Sequence, residues 1–494
     1  MLLNRRRILE GGVALLALGW LVLPPLAQTA EPGPNNRAPN DAIETLQIDP
    51  ARVLHAVPAI RGVHWQFKEG RSEPREGISP HKGETGCYGS LVDMKKEHLA
   101  LAAQMGVTTI RCGIEHGSLE DRDQPGKYSE EGFARIERFF GWCGEYHIHC
   151  IFDLHAVFGM EDGSKRFWDS EELQQRWCAV WQEIARRFKA NPQVLAYEPC
   201  NEPSPPYASR YRRWNPLAKR VTAAIRQVDP SKPIIIDCLN GCHPGGFEGL
   251  EPTGDTNAWY SFHFYEPHAF HCQKRLWLAD QGTYHYPGEF RGKWWNRQML
   301  VDQWQAALDF ADRHHVPLFA GEFGCVHEVP EMEDAVWLLD MVSLLDAHNV
   351  GWTYYHFMSH AIDPHWQEHF DCGLYIYDVP HQRLHSFDRK VSLLADLMKL
   401  RGSVLDVPQP ADQWLTVYAV AEPTGKTRVY LANKSRDQAK TVRLQLVGGK
   451  GAGRAKYQQM KRGGRGFRAA GDLPLADGML KVTMEPLTIH RIEL

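Results

Sequence analysis

The sequence predicts an α/β fold: a (β/α)8 TIM barrel followed by a small C-terminal antiparallel β-sandwich. Three observations carry this. Short apolar runs alternate with amphipathic stretches from Ile60 to Lys399. Most of the runs are continuously apolar, as parallel strands covered on both faces must be. After residue 401 the pattern changes to the two-residue period of half-buried strands, broken by glycine-rich turns. The 494 residues allow two or three domains at roughly 100–200 residues each.

Residues 1–30 read as a signal peptide. Arg5, Arg6 and Arg7 form a positive n-region, and Gly12–Leu23 is an apolar stretch too short to span ~30 Å of hydrocarbon comfortably as a helix. Asn4-Arg5-Arg6-Arg7-Ile8-Leu9 is similar to a twin-arginine export signal, with Asn where Ser or Thr is usual. A periplasmic or secreted product is expected. Residues 31–58, rich in Pro and Asn at their start, are expected to be linker and lead-in.

Residues 59–401 are assigned to the barrel. The predicted strands are Ile60–Trp65, Val107–Arg111, His149–His155, Val194–Asn201, Pro233–Cys238, Trp259–Tyr265, Pro317–Glu322 and Val350–Tyr355. Helical patterns lie over Lys95–Met105, Glu131–Tyr146, Glu171–Lys189, Tyr211–Val228, Arg297–His315, Glu333–His348 and Asp388–Leu400. No long helical pattern separates the fifth and sixth strands. A doubly wound sheet would favour a glycine-rich phosphate turn after an early strand, and the sequence has none. Residues 402–494 are assigned to the sandwich, with strands over Trp414–Glu422, Thr427–Asn433, Thr441–Leu446 and Leu480–Leu494. Aromatics are sparse there, so it reads as a packing partner for the barrel flank rather than a sugar-binding module.

Composition narrows the function. A formal charge of −4 argues against a nucleic-acid binder. Hydrophobic content of 43% with 23% charged residues excludes wholesale disorder. The 16 Trp suit stacking on flat apolar faces such as sugar rings. The 11 Cys are odd in number. Most read as free buried thiols, because twin-arginine substrates fold before export in a reducing cytoplasm.

In a barrel enzyme chemistry gathers where strands end and βα loops begin. Strand two ends at Arg111, strand three in Asp153-Leu154-His155, and strand four in Asn201-Glu202-Pro203. Strand six ends in His263-Phe264-Tyr265 and strand seven in Gly321-Glu322-Phe323-Gly324. Two glutamates across one mouth suit glycoside hydrolysis, in which one protonates the leaving oxygen and the other attacks the anomeric carbon or directs water to it. Arg111 beside Glu322 would keep that carboxylate charged, and the Tyr265 hydroxyl could donate to it. Glu202 has no neighbouring cation in sequence and follows an apolar strand, so a raised pKa is expected.

These residues, in this order and on these strands, with Arg61-Gly62-Val63 opening the barrel, resemble glycoside hydrolase family 5, the cellulase family of the clan of retaining barrel glycosidases. The resemblance covers about Ile60 to Phe357. It implies that Glu202 is the acid/base and Glu322 the nucleophile. It implies that Asn201 bonds the sugar 2-hydroxyl, that Arg111 and Tyr265 orient Glu322, and that His155 and His263 hold site and sugar. It implies a β-glycan as partner and no metal or organic cofactor; the charge balance predicts no nucleic acid, no later stretch is apolar enough to span a membrane once the signal is removed, and a monomer is expected. The family usually carries Trp at the end of strand eight, where this chain has Tyr355, and often Asn where it has His64. The expected activity is that of a retaining endo-β-1,4-glucanase. A β-mannanase or exo-acting β-glycosidase remains the alternative among enzymes. A non-catalytic glycan-binding protein on the same fold is the alternative outside them.

Loop aromatics carry two readings. In Glu266–Trp295, Phe270, Trp277, Tyr284, Tyr286, Trp294 and Trp295 could wall the cleft or fill a small core, with the wall preferred; Trp65, Phe67, Tyr88, Phe158 and Trp168 admit the same two. His360, Asp363, His365, His369 and Asp371 read as a polar subsite loop rather than a metal site.

Overall fold

Eight parallel strands close a barrel in chain order: Arg61–Phe67, Thr109–Glu115, His149–Ala156, Val194–Glu198, Ile234–Asp237, Ala258–Phe264, Leu318–Phe323 and Gly351–Tyr354. The computed structural model describes residues 43–67, 95–160, 165–274, 282–361, 372–378 and 381–494. The expected signal segment, Tyr88, Trp277 and the 363–371 loop lie outside these residues. Ile151, Ala196, Ile235 and Phe319 fill part of the barrel interior. Gly62 lets the first two strands approach, since a Cβ there would sit 1.9 Å from the Thr109 carbonyl oxygen. Among the described residues no helix is long and apolar enough to cross a membrane.

Helices cover the outside. Glu130–Glu145 starts on Ser129, which accepts from the Gly132 N–H, and Glu171–Phe188 starts on Ser170, which accepts from Leu173. Each cap satisfies an N–H that the first helical turn leaves open. Between the fifth and sixth strands stands only a short 3-10 turn, Pro244–Phe247, as the missing helical pattern predicts. The stretch expected as one helix from Arg297 is two, Arg297–Asp302 and Gln305–His314.

The tail is a ten-stranded sheet curled into a sandwich. Leu46, Val442, Leu444 and Val482 from one part of the ladder share an apolar cluster with Val417, Val429 and Leu431 from the other. Three expectations need correction here. Part of the stretch expected as linker is strand: Glu44–Ile48 pairs in parallel with Lys440–Leu446, and Val53–Ala56 pairs with Ser403–Leu405. Leu46 and Ile48 point inward while Thr45 and Gln47 face out, which is why this segment is drawn into the sheet. The stretch Leu480–Leu494 is two strands, Met479–Met484 and Thr488–Glu493, and the sandwich includes one parallel pair.

The tail packs on the barrel through the helix Glu333–Ala347, which is buried on nearly every side. Three of its acids reach across. Glu333 accepts from Arg436 Nε at 3.1 Å and from the Tyr286 N–H at 2.9 Å. Asp340 accepts from Lys434 Nζ at 2.9 Å, Thr416 Oγ1 at 2.5 Å and Tyr286 OH at 2.7 Å. Asp346 meets Arg61 and the Tyr418 hydroxyl. A buried acid with partners on both domains fixes their relation, because removing either partner leaves a charge away from water.

Candidate active site

Arg111 stands at the centre of the barrel's C-terminal mouth, fully buried. Its Nη1 donates to Glu322 Oε1 at 2.7 Å. Its Nε and Nη2 bind Glu198 in bidentate fashion at 2.7 and 2.8 Å. Nη2 also donates to Asn201 Oδ1 at 2.9 Å and lies 3.1 Å from Asp153. Arg111 Nη1 is 2.9 Å from His64 Nδ1. Surrounded by carboxylates, this guanidinium holds its proton well above the ordinary range, although burial alone acts the other way.

Glu322 is deep in the mouth, and its second oxygen accepts from Tyr265 OH at 2.8 Å. Gly321 before it leaves room for the sixth strand, since a Cβ there would lie 2.8 Å from His263 Nε2.

Glu202 is set differently. Its side chain is 36% exposed, against 6% for Glu322. Its Oε1 lies 2.8 Å from His263 Nδ1, and no guanidinium or lysine touches it among the described contacts. The protein packed around it raises its pKa by desolvation, against the opposing pull of His155 and Arg111. Burial lowers the pKa of His263 to about 4, so this imidazole is neutral near pH 7.

The fourth strand ends at Glu198, not at Asn201 as expected. The Pro199 carbonyl turns to the indoles of Trp177 and Trp181, at 2.9 and 3.1 Å, instead of continuing the ladder. Glu202 then takes a left-handed conformation with φ +44°. Its N–H donates to Asp237 Oδ2 at 3.0 Å. His155 Nδ1 is 2.8 Å from Asp153 Oδ2, with Asn201 Nδ2 at 3.5 Å from its Nε2. Tyr355 stacks on His64 at 5.0 Å between ring centroids and meets Tyr265 edge-on at 6.2 Å.

All eight singled-out residues, Arg111, His155, Asn201, Glu202, His263, Tyr265, Glu322 and Tyr355, thus come to one mouth. Two that matter were missed: Glu198 and Asp237. Their signal was an acid closing an apolar strand, as in Ile234-Ile235-Ile236-Asp237.

The loop aromatics resolve toward packing. Trp65, Phe158 and Trp168 are buried, and Phe270, Tyr286, Phe290 and Trp295 are buried as part of the main hydrophobic core of the barrel, so the preferred wall reading is not what these rings do. Their area is worth more away from water than on the cleft face. Ligand-type atoms of His64, His155 and Glu322, of Asp237, Cys242 and His263, and of Glu202, His263 and Glu322 lie within 4.8 Å of one another. Each group shares members with the network just described. Cys112, Cys143, Cys150, Cys178, Cys200, Cys238, Cys242 and Cys325 are free thiols, and Cys238 and Cys242 make a thiol contact at 3.9 Å.

A family model described as cellulase (glycosyl hydrolase family 5) matches residues 73–361. Endoglucanase C of Acetivibrio thermocellus is 27% identical over 282 residues, spanning 51% of this chain and 81% of that protein. Cellodextrinase A of Ruminococcus flavefaciens is 24% identical over 265 residues, spanning 52% and 76%. Among solved structures, a hyperthermophilic endo-beta-1,4-glucanase in complex with substrate superposes with a TM-score of 0.53 at 19% identity, covering 68% of this chain and 96% of that one.

Proposed function

Because the chain belongs to glycosyl hydrolase family 5, the cellulase family, we propose that it is a retaining endo-β-1,4-glucanase with Glu202 as acid/base and Glu322 as nucleophile. The observation that carries the reading is the pair itself. A carboxylate oxygen of Glu202 and one of Glu322 lie within 4.8 Å of each other. That separation suits double displacement, in which carboxyl groups stand about 5–5.5 Å apart, and is too small for the water an inverting enzyme places between them.

The two environments divide the labour. Glu322, held in place by hydrogen bonds from Arg111 and Tyr265, attacks the anomeric carbon and forms a glycosyl-enzyme. Glu202, its pKa raised, delivers its proton to the departing oxygen and then takes one from the water that releases the sugar. Asn201 and His155 lie beside the pair, where sugar hydroxyls would sit. Tyr355 offers a smaller stacking face than Trp. The name of endoglucanase C supports endo action on a glucan. Tyr355, together with the name of cellodextrinase A, supports attack on short oligosaccharides as a second reading. A product profile on defined β-linked oligosaccharides separates the two. Arg5, Arg6, Arg7 and the apolar stretch after them support export before the enzyme meets its glycan. Residues 402–494 are read as a scaffold for the barrel, because Tyr418 and Tyr430 are buried in the structure instead of displayed.

The deciding experiment is Glu202→Ala. The variant should be nearly inactive on polysaccharide, which has a poor leaving group, yet still glycosylate Glu322 from an activated aryl glycoside. Azide should then release a β-glycosyl azide and accelerate turnover. Failure of azide to accelerate a substrate whose first step is intact would overturn the assignment.

A further inference from the structure

The carboxyl groups at the mouth outnumber the cations that could balance them. Asp153, Glu198 and Glu322 all contact Arg111. Asp237, fully buried at the end of the fifth strand, lies against Glu198. Among the described residues no second guanidinium and no lysine reaches this group. Two touching carboxyl groups that are both fully buried do not both ionise, so one keeps its proton. Both oxygens of Glu198 accept from Arg111, which fixes the negative charge there. Asp237 has no such partner, so the proton is its own.

The same side chain supports Glu202 from two directions. Asp237 Oδ2 accepts the Glu202 N–H at 3.0 Å, at a residue whose φ is +44°. That oxygen is also 3.7 Å from His263 Nε2, on the far side of the imidazole whose Nδ1 meets the Glu202 carboxyl. The groups facing Asp237 are Glu198 from the fourth strand, Arg111 from the second, His263 from the sixth, Cys200 and Glu202 from the fourth loop, and Cys242 from its own loop.

We propose that Asp237 is a positioning residue for the acid/base: a neutral carboxylic acid whose O–H is donated to Glu198 and whose other oxygen holds the Glu202 N–H. This rests on the reading of Glu202 as acid/base. Desolvation and the charge on Glu198 push Asp237 well above the usual carboxylate range, while Arg111 draws Glu198 below it. A neutral Asp237 holds Glu202 without adding another anion behind His263.

An amide mimics a neutral acid, with one donor and one acceptor, and this gives the test. Asp237→Val should lower kcat on cello-oligosaccharides by ~100-fold, the scale of a mispositioned general acid. It should affect an activated aryl glycoside far less and leave KM near the wild-type value. Asp237→Asn should restore most of the loss, with the alkaline limb of the pH profile where the wild type has it. An Asp237→Asn variant as slow as Asp237→Val, or one whose alkaline limb moves to lower pH, means that Asp237 works as an anion and overturns the proposal. Equal losses on both leaving groups would show a merely structural role.

Infrared difference spectra keep the idea testable if Asp237→Val does not fold. Above the alkaline limb, where Glu202 is ionised, the wild type should show a carboxylic acid carbonyl stretch that Asp237→Asn lacks. No such band overturns the proposal. Failure of azide rescue in Glu202→Ala would instead overturn the acid/base reading and leave this band in place.

Discussion

On the helix Glu333–Ala347 each buried acid has at least one basic partner: Glu333 has Arg436, Asp334 has Arg389, Asp340 has Lys434 with Arg297 at 3.9 Å, and Asp346 has Arg61. At the barrel mouth four acids, Asp153, Glu198, Asp237 and Glu322, gather around Arg111. Both regions are buried, and both are polar. The first gives every acid at least one cation and joins two packed bodies. The second keeps an excess of carboxyl groups, which is what allows one to stay protonated while another stays ionised. Balanced charges hold the molecule together, and unbalanced ones set it up for proton transfer.

The largest expected effect lies on the unbalanced side. Glu322→Gln removes the proposed nucleophile and should cut turnover by ~10⁴ or more, with the fold retained, because Arg111 still has Glu198 and Asp153. Turnover near the wild-type level would refute the nucleophile assignment. Calorimetry on the same variant should show a small change in stability, which would separate the mouth from the interface in a single substitution.

On the balanced side the effects should reverse. Lys434→Met leaves buried Asp340 with Arg297 at 3.9 Å as its remaining cation, so the loss should fall at the low end for a broken buried pair, about 3 kcal/mol. Urea denaturation should report it, while the folded fraction retains its kcat. Adding Asp340→Asn should recover much of the loss. If Lys434→Met is as stable as the wild type, the pair does not hold the tail, and the contrast between the two regions fails.

A smaller effect should follow pH. His490, buried in the tail between Tyr457 and Thr488, has its pKa lowered by burial from the ordinary 6.5 to about 4. Between those values the unfolded chain binds a proton that the folded chain refuses. Its contribution is therefore full above pH 6.5 and lost as pH falls toward 4, by at most ~3 kcal/mol. His263 adds a like share at the mouth. In His490→Gln the stability gap between pH 7 and pH 4.5 should narrow; an unchanged gap would show that the tail does not drive acid sensitivity.

The barrel was legible because its strands are apolar throughout and its helices amphipathic, two signals that survive without knowledge of contacts. The site residues were legible for a related reason, since a polar residue that closes an apolar strand must face the mouth. That rule, applied to every strand, would also have found Glu198 and Asp237. The tail was harder. Arg468–Ala476 is mostly exposed, Ala452–Met460 is exposed over its first half, and both show little apolar alternation, so their pairing is visible only in three dimensions. Glu44–Ile48 does alternate, but its partner is far away in sequence. Loop rings were misassigned because a Trp under a loop and a Trp lining a cleft look alike in one dimension.

The joining of Glu44–Ile48 to Lys440–Leu446 makes the chain a ring closed by hydrogen bonds, since Leu46 and Leu444 pair across about 400 residues. A protease that nicks a barrel loop would produce two fragments, each still anchored in the common sheet. The two halves should therefore stay together without a covalent link, and fragments expressed separately could find each other. The same closure sets an order of assembly. The sheet cannot be completed until Lys440–Leu446 is made, so Glu44–Ile48 must wait, unpaired, while the roughly 400 residues between them are synthesised.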